Sequence, residues 1–216
     1  MRAPAKLYLA SSNPGKLGEY RAVAPSLRVN LKLLPGFDEL PSFEENAPTF
    51  AENAAGKALH YSRLREGLVF ADDSGLVVPA LGGAPGVQSA RYAGPEATNE
   101  QRIEKLLCEL RDKARNERAA YFVCAIALAE KGRAIAVVTD HVDGEILESP
   151  RGTGGFGYDP IFYFPVLKKT FAELSAEEKN QHSHRGKAFR KLLTALFLHV
   201  IVLAPHGTQS EEKKGG

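Results

Sequence analysis

The sequence has almost no cysteine. Of its 216 residues only Cys108 and Cys124 are cysteines, too few and too far apart for a disulfide framework or a four-ligand zinc site. A reducing, cytoplasmic setting is the expectation. An excess of one charge is missing too: 28 basic residues against 26 acidic ones leave a formal net charge of +2, so no broad footprint for nucleic acid or a membrane surface exists. An anionic partner must be met locally. Nor is there a long hydrophobic run. MRAPAKLYLASS turns polar too early for the core of a signal peptide. The most apolar stretch, LLTALFLHVIVLA at 192–204, has 13 residues and includes His199, short of the roughly 20 that cross a bilayer. It reads as a buried helix. No internal repeat or linker is visible. With 44% hydrophobic residues, the chain can bury one sizeable core, so a single domain over 1–204 is expected, followed by a polar tail at 205–216.

What is present alternates between strand and helix patterns. Lys6 to Ala10 reads as a strand, and Leu17, Tyr20, Ala24 and Leu27 then recur at helical spacing. VNLKLL at 29–34 alternates like a strand. Thr49 with Glu52 forms a capping-box pattern that opens a helix to about Arg65, and LVFA at 68–71 reads as a short strand ending at DDSG. Thr98 with Gln101 precedes the stripe Ile103, Leu106, Leu107 and Leu110. AYFVCAIALA and RAIAVVTDHV flank the turn EKGR, an antiparallel hairpin. Ser175 with Glu178 starts a short helix, and Phe189, Leu192, Leu193, Leu196, Phe197 and Val200 stripe the last one. A βα-like start combined with a hairpin predicts an α/β domain with a mixed central β-sheet and flanking helices.

Four segments carry chemistry. In LASSNPGK, 9–16, a strand, a tight turn with Gly15 and a helix opening near Lys16 offer backbone N–H groups, a dipole end and a point charge to an anion. Asn13 could donate to the same ligand or hold the turn, and Pro14 stiffens it. An ordinary strand-to-helix turn fits these residues as well. A P-loop does not, since Leu17 follows Gly15-Lys16 where a serine or threonine is required. In ADDSG, 71–75, two adjacent carboxylates suit a divalent ion and an activated water, although neighbours in a strand point to opposite faces. One is then functional and the other orienting. Glu44-Glu45, in the loop before the Thr49 helix, could add an oxygen ligand or be only a charged loop.

RGTGGFGYDPIF, 151–162, formally contains G-x-G-x-x-G, but its continuation is aromatic, carries Pro160 and reads as a strand, where a dinucleotide fingerprint needs a helix. Its glycines permit close backbone approach to a ligand, and the flat face of Phe156 could stack on a base. EEKNQHSHRGKAFRK, 177–191, is a dense donor cluster. His182 and His184 are two apart, on different sides of a helix, which disfavours a zinc pair, and Arg185 presents a planar fork. A solvated basic helix face is the alternative.

Taken together, SSNPGK, TFAENA, ADDSGL, GGAPGVQSARYAG, GTGGFGYDPIF and SHRGKA, in this order, resemble the Ham1/RdgB/ITPA family of noncanonical purine nucleoside triphosphate pyrophosphatases over about residues 6–198. Ser12 stands where family members often have glycine. The resemblance implies a long mixed sheet in two lobes around an active cleft, Mg²⁺ as cofactor, a homodimer, and hydrolysis of ITP, dITP and XTP between the α and β phosphates. It implies Glu44 and Asp73 as metal ligands, with Asp73 also accepting the proton of the attacking water. It further implies Ser11, Ser12, Asn13, Pro14, Gly15, Lys16, Ser74, Phe156, Gly157, Tyr158, Asp159, Lys179, His184 and Arg185 as substrate contacts. Arg185 is expected to read the 6-oxo group of the purine. Pyrophosphatases of the Maf type also begin with a serine-rich strand and turn, but the DDSG and SHR segments speak against them.

Overall fold

The computed structural model describes residues 5–23 and 29–202. Ala24, Leu27 and the expected tail lie outside the described residues, as do the side chains of Phe197, His199 and Val200. Among the described residues, seven strands form one sheet in the order β2-β1-β3-β4-β5-β6-β7. β1 (Ala5–Leu9) lies parallel to β2 (Val29–Leu33) on one side and to β3 (Leu68–Val77) on the other. The crossovers are α1 (Pro14–Val23) and α2 (Phe50–Leu64). β4 (Ala119–Glu130) and β5 (Arg133–Ile146) then add antiparallel neighbours, followed by the short β6 (Phe162–Phe164) and β7 (Lys169–Thr170). The sheet is mixed, as the sequence predicts. The hairpin turn expected at EKGR is present, with Lys131 at φ 49° and Gly132 at φ 72°, the left-handed pair that matches strand twist.

Alternation along β4 explains how the sheet is covered. Cys124, Ile126 and Leu128 join Leu7, Leu9, Tyr20, Phe70, Phe189 and Leu192 on the side of α1 and α5 (His184–Val202). Ala125, Ala127 and Ala129 face the other way and meet Ala54, Ala58 and Tyr61 of α2. Small residues on both surfaces let α2 lie close to the sheet. Nearer the other end of the same strands, Leu76, Phe122, Ile146, Phe162 and Phe171 pack with Leu106 and Leu110 against α3 (Asn99–Glu109). The three long strands therefore pass from one core to another, and Asp72 to Gly75 lie where the cores meet. Phe70, fully buried between the rings of Tyr20 and Phe189, is an anchor whose truncation to alanine costs about 3–5 kcal/mol.

The structure corrects three local readings. LVFA does not end at DDSG: β3 continues to Val77, pairing Asp72 with Ile126 and Asp73 with Ala125. Carboxylates are tolerated in mid-strand because each finds a partner beyond the sheet, Lys16 for Asp72 and Asn53 for Asp73. The segment after the 152–157 glycines is a series of turns, and strand structure resumes only at Phe162. The two helices expected across the 177–191 cluster are present, but the first ends before His184. α4 (Ala176–His182), opened by the expected Ser175 cap, stops at Ser183, whose hydroxyl accepts from the Gly186 amide at 3.1 Å to start α5. His182 and His184 thus sit on different helices. Among the described residues no helix is long and apolar enough to cross a membrane.

Candidate active site

The β1–α1 turn is built by its own side chains. Ser11 Oγ accepts from the Asn13 amide at 3.0 Å, and Asn13 Oδ1 accepts from Gly15 N at 2.8 Å. Asn13 therefore holds the turn and caps α1, the second of the two roles its sequence context allows. Pro14 opens the helix, Ser12 is exposed, and Lys16 reaches back across the sheet, its Nζ 3.0 Å from Asp72 Oδ1.

Strand alternation separates the two aspartates. Asp72 faces the α1/α5 side, fully buried between Lys16 and Arg185, whose Nε lies 3.5 Å from Oδ2. Burial would raise its pKa, but the Lys16, Arg185 and Lys57 charges hold it well below the usual carboxylate range. Asp73 faces α2, where Asn53 Nδ2 donates to Oδ2 at 2.9 Å. Burial, with Glu45 and Asp72 nearby, pushes the Asp73 carboxyl up to about 6 despite that bond. Of the acidic pair in the preceding loop, Glu45 lines the same cavity as Asp73, its carboxylate 2.5 Å from Lys57 Nζ on α2 and its carbonyl accepting from Arg91. Glu44 does not join them. It is exposed and accepts from Asn46 Nδ2 at 2.9 Å.

A cavity of about 610 Å³ gathers Asn13, Gly15, Lys16, Glu45, Asp73 and Ser74 at one side and Phe156, Gly157, Tyr158, Asp159, Lys179, His184 and Arg185 at the other. This is the size of a ligand pocket. Phe156, 43% exposed, presents its ring to the cavity, with Lys179 Nζ 4.8 Å and Arg185 Cζ 5.6 Å from the ring centre. Its loop is folded onto Asp159, whose Oδ2 accepts from Phe156 N at 2.8 Å and from Lys179 Nζ at 2.6 Å. Gly155 makes this possible: it sits at φ 71°, and a Cβ there would lie 2.1 Å from Asp159 Oδ2. At the junction of α4 and α5, a Cβ on Gly186 would lie 2.1 Å from Asn180 O, so only glycine lets the chain turn tightly enough to bury the two residues before it.

Those residues are not a solvated basic face. His184 and Arg185 are 5% and 3% exposed, and Lys179 is 8%. His184 stacks on Phe122 at 4.9 Å, and burial together with the Arg185 and Lys179 charges drives its pKa well below the ordinary range, keeping the ring neutral. Arg185 donates to Ser74 Oγ at 3.0 Å and pairs with Glu19 of α1, which also lies 3.3 Å from Lys179. Glu19, Asn53 and Lys57 carry no expectation from the sequence. TFAENA contains Asn53, and Lys57 follows it by one turn on the same face of α2, a spacing that could have signalled a shared task.

Cavity size alone does not select this site. A wider groove of about 840 Å³ runs over α3 and residues 148–160, lined by Ile103, Leu107, Cys108, Arg118 and Pro150. Arg118, its buried cation, is already satisfied by the carbonyls of Leu110, Ile146 and Leu147. Perturbed and convergent groups occupy the smaller cavity.

An α/β protein with a cleft combining carboxylates, cations and an exposed aromatic is the class that fold and site define. The comparisons make it specific. Residues 7–195 match the model of the Ham1 family. The chain is 51% identical over 187 residues to a dITP/XTP pyrophosphatase of Geobacillus kaustophilus, covering 87% of this chain and 92% of that one. It is 48% identical to a dITP/XTP pyrophosphatase of Acidobacterium capsulatum, covering 88% and 97%. A HAM1 protein from Coxiella burnetii superposes with a TM-score of 0.81 at 42% identity over 90% of this chain and 99% of that one. The Staphylococcus aureus Ham1 protein gives 0.80 at 40% identity, over the same shares. The chain belongs to the Ham1 family.

Proposed function

We propose that this protein is a nucleoside triphosphate pyrophosphohydrolase that removes noncanonical purine nucleotides, ITP, dITP and XTP, from the cytoplasmic pool as monophosphate and pyrophosphate. The observation that carries this reading is a single cavity with a raised carboxyl, Asp73, beside the Lys16 turn and an exposed aromatic, Phe156, at its other side. The dITP/XTP pyrophosphatase relatives support the substrate class. A homodimer is part of the same reading.

Asp73 accepts the proton of a water that attacks the α phosphorus, and a carboxyl tuned toward neutrality suits that task. The bond to the α–β bridging oxygen breaks and pyrophosphate leaves. Lys16 stands where charge grows on the leaving group, and Phe156 offers its face to the purine. Arg185 and Lys179, held by Glu19 and Asp159, are fixed rather than mobile cations.

The donor set fits Mg²⁺. Among the described residues no group of three His, Cys, Asp or Glu side chains forms a dedicated metal cage, but Mg²⁺ is commonly held by one or two carboxylates plus substrate phosphates. Asp73 and Glu45 line the same cavity, and burial with the Glu45 and Asp72 charges raises the Asp73 pKa, an arrangement that a cation relieves. In this proposal Glu45 takes the place expected for Glu44. Bound there, Mg²⁺ would neutralise phosphate charge. The need is electrostatic: Lys16, Lys57, Lys179 and Arg185 are already matched by Asp72, Glu45, Asp159 and Glu19, with Asp73 in addition. Among the described residues of the cavity only Arg102, which donates to the carbonyls of Thr98 and Ala90, is a cation without a carboxylate partner, too little charge for a triphosphate. The test is pyrophosphate release from ITP with and without Mg²⁺, together with the affinity of a non-hydrolysable ITP analogue under both conditions. Release and tight binding should both require the ion.

A further inference from the structure

We infer that Asn53 is the positioning residue for Asp73, tying the reactive carboxylate to the loop that carries Glu45. The inference rests on the reading of Asp73 given above. Asn53 stands in the first turns of α2 and is fully buried. Its Oδ1 accepts from Ala47 N at 2.9 Å, and its Nδ2 donates to Asp73 Oδ2 at 2.9 Å. The first bond determines the second: only the carbonyl end of the amide can accept from a backbone N–H, so the NH₂ end must face β3. With Oδ2 held, Oδ1 is the oxygen left for a ligand.

Ala47 lies two residues beyond Glu45 in a tight turn, where Asn46 N donates to Glu44 O at 3.1 Å. One side chain thus joins the helix, the loop and the strand. Lys57, one helical turn further along α2, holds the Glu45 carboxylate. The same helix face therefore presents an amide to one carboxylate and an ammonium to the other, setting their separation from a rigid element rather than from the loop. Partners behind the reacting groups of a site commonly change its activity 10–100-fold when removed.

Asn53→Asp keeps the acceptor for Ala47 N but deletes the donor to Asp73 and its longer bond to Ala47 O at 3.4 Å, while Asn53→Ala deletes all three. Each should lower kcat for ITP by about 10–100-fold with KM within about threefold. The swap Asn53→Asp with Asp73→Asn re-forms the bond in the opposite sense. It should recover at least half of the melting-temperature loss of Asn53→Asp alone, yet remain inactive. A wild-type kcat in the Asn53 variants overturns the inference. So does a rate loss that follows melting temperature in kcat and KM alike, with no recovery of stability in the swap. Failure of the parent reading looks different: Asp73→Asn by itself would keep turning over, whatever Asn53 does.

Discussion

Asp72 and Asp73 are neighbours in β3 that face opposite sides of the sheet, and their carboxyls are driven in opposite directions. Asp72, paired with Lys16 at 3.0 Å, is held below the usual range, whereas Asp73, buried beside two acidic neighbours with one amide to offset them, rises to about 6. One carboxylate anchors cations of the cleft and the other is left near neutrality. The difference arises from strand alternation, which sends the first toward α1 and α5 and the second toward α2.

A raised carboxyl is also a stability cost. Its folded value of about 6 against an ordinary 3.8 means that the ionised form is disfavoured by folding, by about 3 kcal/mol at most. Asp73→Asn should therefore abolish turnover yet stabilise the metal-free protein by about 1–3 kcal/mol at neutral pH. The gain should shrink as pH falls through 6 and vanish below 3.8, where the native carboxyl is protonated in both states. Urea unfolding at pH 7.5 and pH 4 measures it. Equal stabilities at pH 7.5 would contradict the environment assigned to Asp73.

His184 and Asp72 act in the opposite sense. The neutral, buried His184 has a folded pKa below the ordinary 6.5, so its contribution is complete above 6.5 and is lost as pH falls toward the folded value. Asp72, depressed by its cations, contributes above 3.8 and loses that contribution as pH falls through its folded value. The His184 contribution should therefore be lost from below pH 6.5, opposing the gain from Asp73, and His184→Phe should flatten that part of the profile. Melting temperatures from pH 7.5 to 4.5 test this; an unchanged profile in the variant would remove His184 from the account.

Much of this was legible in the sequence, for physical reasons. The capping-box patterns at Thr49, Thr98 and Ser175 are local signals, and each opens a helix where expected. The β3 boundary was misread because DDSG has turn composition, and only partners distant in sequence, Lys16 and Asn53, make it strand. The same blindness hid the placement of Glu45 in the cavity, which rests on Lys57 and Arg91. Burial of His184 and Arg185 depends on Phe122, Glu19 and Ser74, none of which lies near them in the chain.

The two sides of the cavity should fail differently. Phe156→Ala removes a stacking surface worth about 1–3 kcal/mol per base, so kcat/KM for ITP and for ATP, the substrate the proposal expects to be poor, should fall by similar factors. Lys16→Ala should instead weaken triphosphate binding far more than nucleoside binding, because its charge meets phosphate. Arg185→Ala should lower discrimination against ATP, an adenine presenting a donor where ITP presents a 6-oxo acceptor. An ITP to ATP ratio unchanged in that variant would assign Arg185 to the architecture around Glu19 and Ser74 alone.

The central claim is the bond that is cut. Purified protein, ITP and Mg²⁺, with products separated and quantified early in the reaction, decide it. The account predicts IMP and pyrophosphate in equal amounts, with neither formed by Asp73→Asn. Accumulation of IDP with inorganic phosphate, or equal product formation by Asp73→Asn, would contradict it.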